Sequence, residues 1–175
     1  METNATPLYD TSDNPTDCCP RFNVEAWDGQ TLHFENKRFV KAKTKSLMHV
    51  PLNIGTVMTH TFEAMEQADA VDEPQSLVLS RDLSPWSAEH LFAVPKDVPG
   101  EKMVRLSGDY RTRVFEGSYR DTPKWGEAFE EELEAEGLDV DETYFFYTTC
   151  PKCAKTYGKN YVVAVARVEP DADAD

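Results

Sequence analysis

Residues 122–137, with the sequence TPKWGEAFEEELEAEG, decide the fold that we predict for this chain. Thr122 can cap the start of a helix, Pro123 suits the first helical position, and Gly137 suits the left-handed residue that ends a helix. Large apolar side chains recur every four residues from Trp125 onward, and glutamates cover the remaining faces. The segment therefore predicts an amphipathic helix that buries one face against a sheet.

Strands are predicted on both sides of this helix. Residues 111–117 precede it as one strand, and residues 143–149 and 160–168 follow it as two more. The last segment is apolar on both faces, which is typical of a central strand. The second half of the chain thus has the order β-α-β-β.

The first half of the chain repeats that order. Residues 38–50 alternate lysines with smaller or apolar residues, as a strand with one solvated face does. An apolar stripe over residues 54–68 predicts a helix, with Asn53 as its N-cap. Residues 76–80 and 88–94 read as a pair of short strands. An internal repeat of this kind is a stronger indication of fold than any single motif.

Each half contains too little helix to bury its own three strands, so the two halves are expected to share one sheet. We predict an α+β fold in which a duplicated β-α-β-β unit forms a curved antiparallel sheet. Both helices would lie on one face, and the other face would curve around a ligand. The domain is expected to span residues 38–169. Residues 1–37, which include Cys18 and Cys19, would form a loose lead-in, and residues 170–175 an acidic tail.

Composition narrows the possible functions. Hydrophobic residues make up 40% of the 175 residues, which is enough for a core without disulfides, and the formal net charge is −14. Such a surface repels phosphate backbones, so nucleic-acid binding is not expected. No secretory signal and no apolar run of about 20 residues is present, which predicts a soluble cytoplasmic protein without membrane contacts. The sequence leaves open whether it is a monomer or a homodimer.

Three features resemble the GyrI-like small-molecule-binding family, whose fold is built from SHS2 units. They are the doubled β-α-β-β order, the segment Ala93-Val94-Pro95 at a strand end, and FEGSY at residues 115–119 before a helix opened by Pro123-Lys124-Trp125. More closely, the chain resembles standalone bacterial and archaeal proteins that are often labelled hydrolases. That resemblance is carried by Cys18-Cys19-Pro20, Phe39-Val40, HVPLN at residues 49–53, SPW at residues 84–86 and YTTCPKC at residues 147–153.

The GyrI-like resemblance implies a flat, apolar and often cationic ligand held between aromatic walls beside a buried carboxylate. A carboxylate in a low-dielectric pocket attracts a cation, and aromatic faces add cation–π attraction. The candidate carboxylates are Glu89, near which the resemblance places the pocket acid, and Glu116. The alternative for the aromatic residues is ordinary core packing. The candidate wall residues are Trp86, Phe92, Tyr119, Tyr147 and Tyr161.

Hydrolysis of the bound molecule would need a further set of groups. Glu89 with a raised pKa would position or deprotonate a water, and Tyr119 or Tyr147 would assist the leaving atom. His49 would act as a base, with a capped or exposed histidine as the alternative. The sequence contains neither a Gly-x-Ser-x-Gly elbow nor a His-Glu-x-x-His motif, so a standard acyl hydrolase is not expected. The alternatives are a non-catalytic binding or sequestering module and a thiol- or zinc-dependent sensor.

The sharpest local motif is Cys150-Pro151-Lys152-Cys153. A redox pair of the thioredoxin type opens a long helix, and too few residues separate this motif from the next strand for such a helix. We therefore expect the motif in a hairpin turn, where two thiolates can grip a zinc ion. Cys18 and Cys19 would supply the remaining ligands, although adjacent cysteines rarely both bind one metal well. The zinc would staple the N-terminal segment to the last hairpin; redox-active or inert thiols are the alternatives.

Overall fold

The computed structural model describes residues 2–170, so the predicted acidic tail lies outside the described residues except for Pro170. Within this range the longer helices and strands follow the predicted alternation, and two short helices and one short strand are additional elements. The helices are α1 (Val24–Trp27), α2 (Ile54–Gln67), α3 (Thr122–Ala135) and α4 (Pro151–Tyr157). The strands are β1 (Thr31–Leu47), β2 (Val50–Pro51), β3 (Val78–Ser84), β4 (Ser87–Ala93), β5 (Met103–Glu116), β6 (Leu138–Tyr147) and β7 (Tyr161–Pro170).

All seven strands belong to one antiparallel sheet, in the order β2-β1-β4-β3-β6-β7-β5. The main elements run β1-α2-β3-β4 and then β5-α3-β6-β7, so the predicted duplicated α+β fold is confirmed. The sheet curves further than we expected, because the first half of β1 pairs with β5 while its second half pairs with β4. This double pairing closes the six long strands into a barrel.

The two long helices lie on one face of the sheet, as predicted. Ser80 in β3 is paired with both His90 in β4 and Phe145 in β6, so these three side chains share a face. Phe92, two residues from His90, lies on the same face and packs against Met65 of α2. Phe145 packs in the cluster formed by α3 and the last strand. This shared face is the outside of the barrel.

The opposite face of the sheet is the barrel interior, and side chains fill it. We expected this face to be an open platform, but the core cluster of apolar side chains on it is at most 5% exposed. Burial of each large apolar side chain there stabilises the fold by about 1.5–3 kcal/mol. The face is filled because the sheet closes into a barrel. Strand β1 is 17 residues long and pairs with strands from both halves of the chain. The interior residues on the strands are Leu32, Phe34, Phe39, Leu79, Leu91, Tyr110, Tyr144, Phe146, Val163 and Val165.

The N-terminal segment is not the loose lead-in that we predicted. Trp27 of α1 is 2% exposed and lies 5.1 Å, ring centre to ring centre, from Phe146 in the barrel interior. Phe22 and Tyr9 pack beside it, and β1 begins at Thr31. Polar composition alone suggested a mobile tail, but these aromatic residues bury enough apolar surface to order the segment. The segment therefore covers one end of the barrel.

Candidate functional site

Four cysteines converge where the N-terminal segment meets α4. The Sγ atoms of Cys18, Cys19, Cys150 and Cys153 all lie within 4.8 Å of one another. The Sγ atoms of Cys18 and Cys19 are 3.7 Å apart, and those of Cys18 and Cys150 are 4.0 Å apart. All four are free thiols, and their exposure falls from exposed Cys18 to buried Cys153. Clustered soft sulfur ligands of this kind suit a thiophilic metal ion.

Local structure explains how the second pair is presented. Cys150 is the N-cap of α4, and its Sγ atom accepts a hydrogen bond from the Cys153 amide at 3.5 Å. The motif therefore opens a seven-residue helix and does not lie in a hairpin turn, which corrects our prediction. Pro151 at the first helical position and Gly158, in the left-handed region at its end, make so short a helix possible.

Hydrogen bonds fix the N-terminal pair against the same helix. The Tyr157 hydroxyl donates to the Cys19 carbonyl at 2.6 Å, and the Cys150 amide donates to the Cys19 Sγ atom at 3.4 Å. The Thr16 hydroxyl lies 3.3 Å from the Cys153 Sγ atom. Hydrogen bonds from Thr16, the largest contribution, and from the neighbouring thiols together lower the pKa of Cys153 to about 7. Burial raises the pKa of Cys19. The ionisation of each thiol in the cluster therefore depends on the charge of the other thiols.

A second polar cluster, which we call the charged cluster, lies inside the barrel around Glu89. Its carboxylate is 2.5 Å from the Lys41 Nζ atom and 2.6 Å from the Arg81 Nε atom. The Arg81 Nη1 atom lies 2.7 Å from the Glu142 carboxylate, and its guanidinium carbon is 4.8 Å from the ring centre of Tyr144. The formal charges of the two cations and the two carboxylates in this cluster sum to zero.

The environment of Glu89 shifts its pKa opposite to the direction we predicted. Burial by itself raises the pKa of this carboxyl, since only 1% of the residue is exposed. Hydrogen bonds and attraction from Lys41 and Arg81 outweigh burial, so the pKa is lowered. A carboxylate held ionised by two cations is a poor proton acceptor near neutral pH.

The other two candidate catalytic residues lie on the outer face of the barrel. His49 pairs with Asp82 at 2.7 Å, and Asp82 follows Arg81 in β3, so its side chain points away from the interior. The Tyr119 hydroxyl donates to the Thr149 carbonyl at 3.0 Å. The structure therefore does not bring Glu89, Tyr119 and His49 together.

The candidate wall residues are also dispersed. Tyr147 contacts Tyr119 edge to face, with ring centres 5.5 Å apart, on the outer side. Phe92 is buried against Phe62 of α2, and Tyr161 packs against Phe22 of the N-terminal segment.

Two further candidates lie on the surface. Trp86 is 57% exposed in the turn between β3 and β4. Glu116, at the end of β5, is exposed. A surface cleft of about 220 Å³ lies elsewhere, beside Asn4, Lys37 and Pro95.

Sequence reasoning missed the partners that define both clusters. Lys41 belongs to a run of alternating lysines that we interpreted as a solvated face, yet it pairs with buried Glu89. Arg81 and Glu142 had no distinguishing local signal, because strand register alone brings them together. The spacing of Thr16 from the first cysteine pair likewise gave no indication of its contact with Cys153.

Comparisons with known proteins agree with the predicted resemblance. Among solved structures, the chain is similar to the structure of SAV2435 bound to tetraphenylphosphonium. The identity is 12% and the TM-score 0.49, over 81% of this chain and 94% of that chain. No curated protein matches. In the described part of the chain, no helix is long and apolar enough to cross a membrane. The family model described as bacterial hydrolase matches residues 9–168, and the chain therefore belongs to the bacterial hydrolase family.

Proposed function

We propose that the four cysteines bind one zinc ion and that this metal centre holds the N-terminal segment against the barrel. The observation that carries the proposal is the mutual approach of all four Sγ atoms to within 4.8 Å. In a tetrahedral zinc site with Zn–S bonds of about 2.3 Å, the sulfur atoms are about 3.8 Å apart. The separations of 3.7 Å and 4.0 Å around Cys18 are close to that value.

Four thiolates complete a tetrahedral zinc site, so the role proposed for the metal is structural. A closed site has no position left for a reacting water, unlike a catalytic zinc site with three protein ligands. The segment that supplies Cys18 and Cys19 also carries Phe22 and Trp27 into the end of the barrel. The metal would therefore hold Phe22 and Trp27 in place at this end of the barrel. Free thiols of this kind also fit a reducing compartment, so we place the protein in the cytoplasm.

Elemental analysis of the purified protein, paired with thiol titration under native conditions, tests the metal proposal. We expect about one zinc per chain and four thiols protected from reagent until a chelator is added. Cys153→Ser should lower the zinc content, whereas Lys152→Ala, a change between the two ligands of α4, should not. Metal-free protein with four reactive thiols would contradict the proposal.

A second function is favoured by the charged cluster: binding of a small organic cation. The Arg81 guanidinium lies between two carboxylates and over the face of Tyr144, where a planar organic cation would also be stabilised. The Arg81 side chain is 31% exposed and that of Glu142 19%, so the cluster reaches solvent. The ligand would enter by displacing Arg81. Hydrolysis is not part of this proposal, because Glu89 is already paired with two cations.

Titration with a fluorescent cationic dye, or with tetraphenylphosphonium by calorimetry, tests this second function. Glu89→Gln and Glu142→Gln should weaken binding, while Glu116→Gln, which alters an exposed carboxylate, should not. Arg81→Gln should strengthen binding, because it removes the internal competitor. Circular dichroism must show that each variant is folded at the titration temperature. Equal affinity in all four variants would rule out the charged cluster as the site.

A further inference from the structure

One end of the molecule exposes a group of large apolar side chains on two neighbouring turns. We call this group the hairpin patch, and its members are 43–66% exposed. Isolated exposed apolar residues are common, but a contiguous group of this kind is typical of an interaction surface. The hairpin patch consists of Leu47, Met48, Val50, Leu52, Leu83 and Trp86.

Backbone contacts make the hairpin patch continuous. Leu47 in β1 is paired directly with Val50 in β2, so their side chains are neighbours. The Ser46 amide donates to the Trp86 carbonyl at 2.7 Å, which ties this hairpin to the turn between β3 and β4. The His49 amide donates to the Pro85 carbonyl at 2.9 Å. The exposed side chains are therefore held on a fixed surface.

The tip of the hairpin is held in an unfavourable backbone conformation. Met48 and His49 have φ angles of 49° and 68°, in the left-handed region that favours glycine. Asparagine and glycine are the usual residues of such two-residue turns. Here the turn presents a methionine that is 65% exposed. Strain that displays an apolar side chain to water is typical of a functional surface.

Charge makes this end suitable for contact between two copies of an acidic chain. The protein has a formal net charge of −14, yet residues 36–62 contain basic residues and neither aspartate nor glutamate. Asp82, the acid beside the hairpin tip, shares a hydrogen bond of 2.7 Å with the His49 ring. Two copies that meet through the hairpin patch bring few carboxylates together, which limits their repulsion.

We propose that the hairpin patch binds the same patch of a second copy, related by a two-fold axis. Side chains of this size present roughly 150–200 Å² when fully exposed, so the patch offers on the order of 500 Å² of largely apolar surface. A standard interface buries about 800 Å² per partner, with an apolar centre and a polar rim. The hairpin patch would supply the centre, and residues such as Lys45 the rim.

Sedimentation equilibrium of the full chain at several concentrations tests this proposal. We expect a reversible dimer whose dissociation constant rises at least about tenfold in Trp86→Ser and in Leu52→Ser. Leu8→Ser, at a residue that is 66% exposed outside the hairpin patch, is the matched control and should leave the constant unchanged. Added sodium chloride should strengthen the dimer, because it screens the repulsion between two acidic chains.

Three results would overturn the proposal. The wild-type chain could remain monomeric at every concentration and salt level. A dimer that persists in Trp86→Ser and Leu52→Ser would place the interface elsewhere. Flotation with phosphatidylglycerol vesicles, if it captured a monomeric wild-type chain but not Trp86→Ser, would assign the hairpin patch to a lipid surface.

Discussion

Removal of the proposed zinc ion should destabilise the fold by an amount that follows from chain length. Cys19 and Cys150 are 131 residues apart and lie on separate elements that the metal would join. A cross-link lowers the conformational entropy of the unfolded chain, and for a loop of this length the chain-entropy relation gives about 5 kcal/mol. The short loops within each cysteine pair contribute less to this stabilisation, because the entropy of loop closure grows with loop length. We therefore expect a loss of about 5 kcal/mol in the free energy of unfolding.

Thermal denaturation followed by circular dichroism measures this loss. For a chain of this size, each kcal/mol changes Tm by about 2–4 °C, so a chelator should lower Tm by roughly 10–20 °C. A reductant must be present throughout, because a disulfide between the same cysteines would also cross-link the chain. Cys153→Ser should lower Tm without a chelator, whereas Lys152→Ala should behave as the wild type.

One result would refute the reasoning about the cross-link. If zinc-loaded protein and chelated protein had the same Tm, the metal would not constrain the unfolded chain or the N-terminal segment. The charged cluster and the fold would be unaffected by that outcome, because neither depends on the cysteines.

Three further substitutions test the core and the charged cluster. Trp27→Ala should cost about 3–5 kcal/mol in urea unfolding, because it empties the end of the barrel interior. Glu89→Gln should destabilise the fold by about 1–3 kcal/mol at pH 7, because it leaves the half-buried Lys41 and Arg81 without this carboxylate. Because the pKa of Glu89 is lowered in the folded state, its contribution to the free energy of unfolding is complete above about pH 4.5. That contribution is lost as the pH falls through the pKa of the folded state. The free energy of unfolding of the variant should therefore fall less steeply at acid pH than that of the wild type. Gly117→Ala should cost about 1–3 kcal/mol, because φ is 151° and an added Cβ would lie 3.0 Å from the Trp125 ring; a Tm equal to that of the wild type would contradict this.

Local signals predicted the two long helices well, but they missed the two short helices and placed the strand ends poorly. Helix α3 is followed by Gly137 in the left-handed region, as predicted, but its N-cap is Asp121, and Thr122, the predicted cap, is its first helical residue. Strand β5 begins at Met103, well before the predicted residue 111, because Gly108 lies within the strand and does not end it. Its φ of 124° is accommodated close to the irregular pairing of β1 with β5. A glycine that permits a bulge and a glycine that ends a strand look alike in sequence.

The sequence predicted that the four cysteines come together, and the structure confirms this proximity, but the sequence did not predict its geometry. The four residue identities and the paired spacing indicated thiolate ligands, but adjacency of Cys18 and Cys19 argued against both reaching one metal. Their positions depend on the hydrogen bond from the Tyr157 hydroxyl and on the place where α4 begins. Both are features of the tertiary structure that the local sequence does not show. The partners of Glu89 depend in the same way on strand register across the closed barrel.

The two proposed sites should act independently, because the cysteines lie on the N-terminal segment and at the start of α4, whereas paired strands hold the charged cluster. Trp27 of the cysteine-bearing segment contacts Phe146, and Glu142 of the charged cluster lies four residues earlier on β6, about 13 Å away along the strand. Removal of zinc releases the N-terminal end but leaves Glu89 and its partners in the strand pairings that hold them. Cation affinity measured below the Tm of the metal-free chain should therefore equal that of the zinc-loaded chain. A large loss of affinity on chelation would show that cation binding requires the N-terminal segment, and would move the cation site toward the end of the barrel that Trp27 covers.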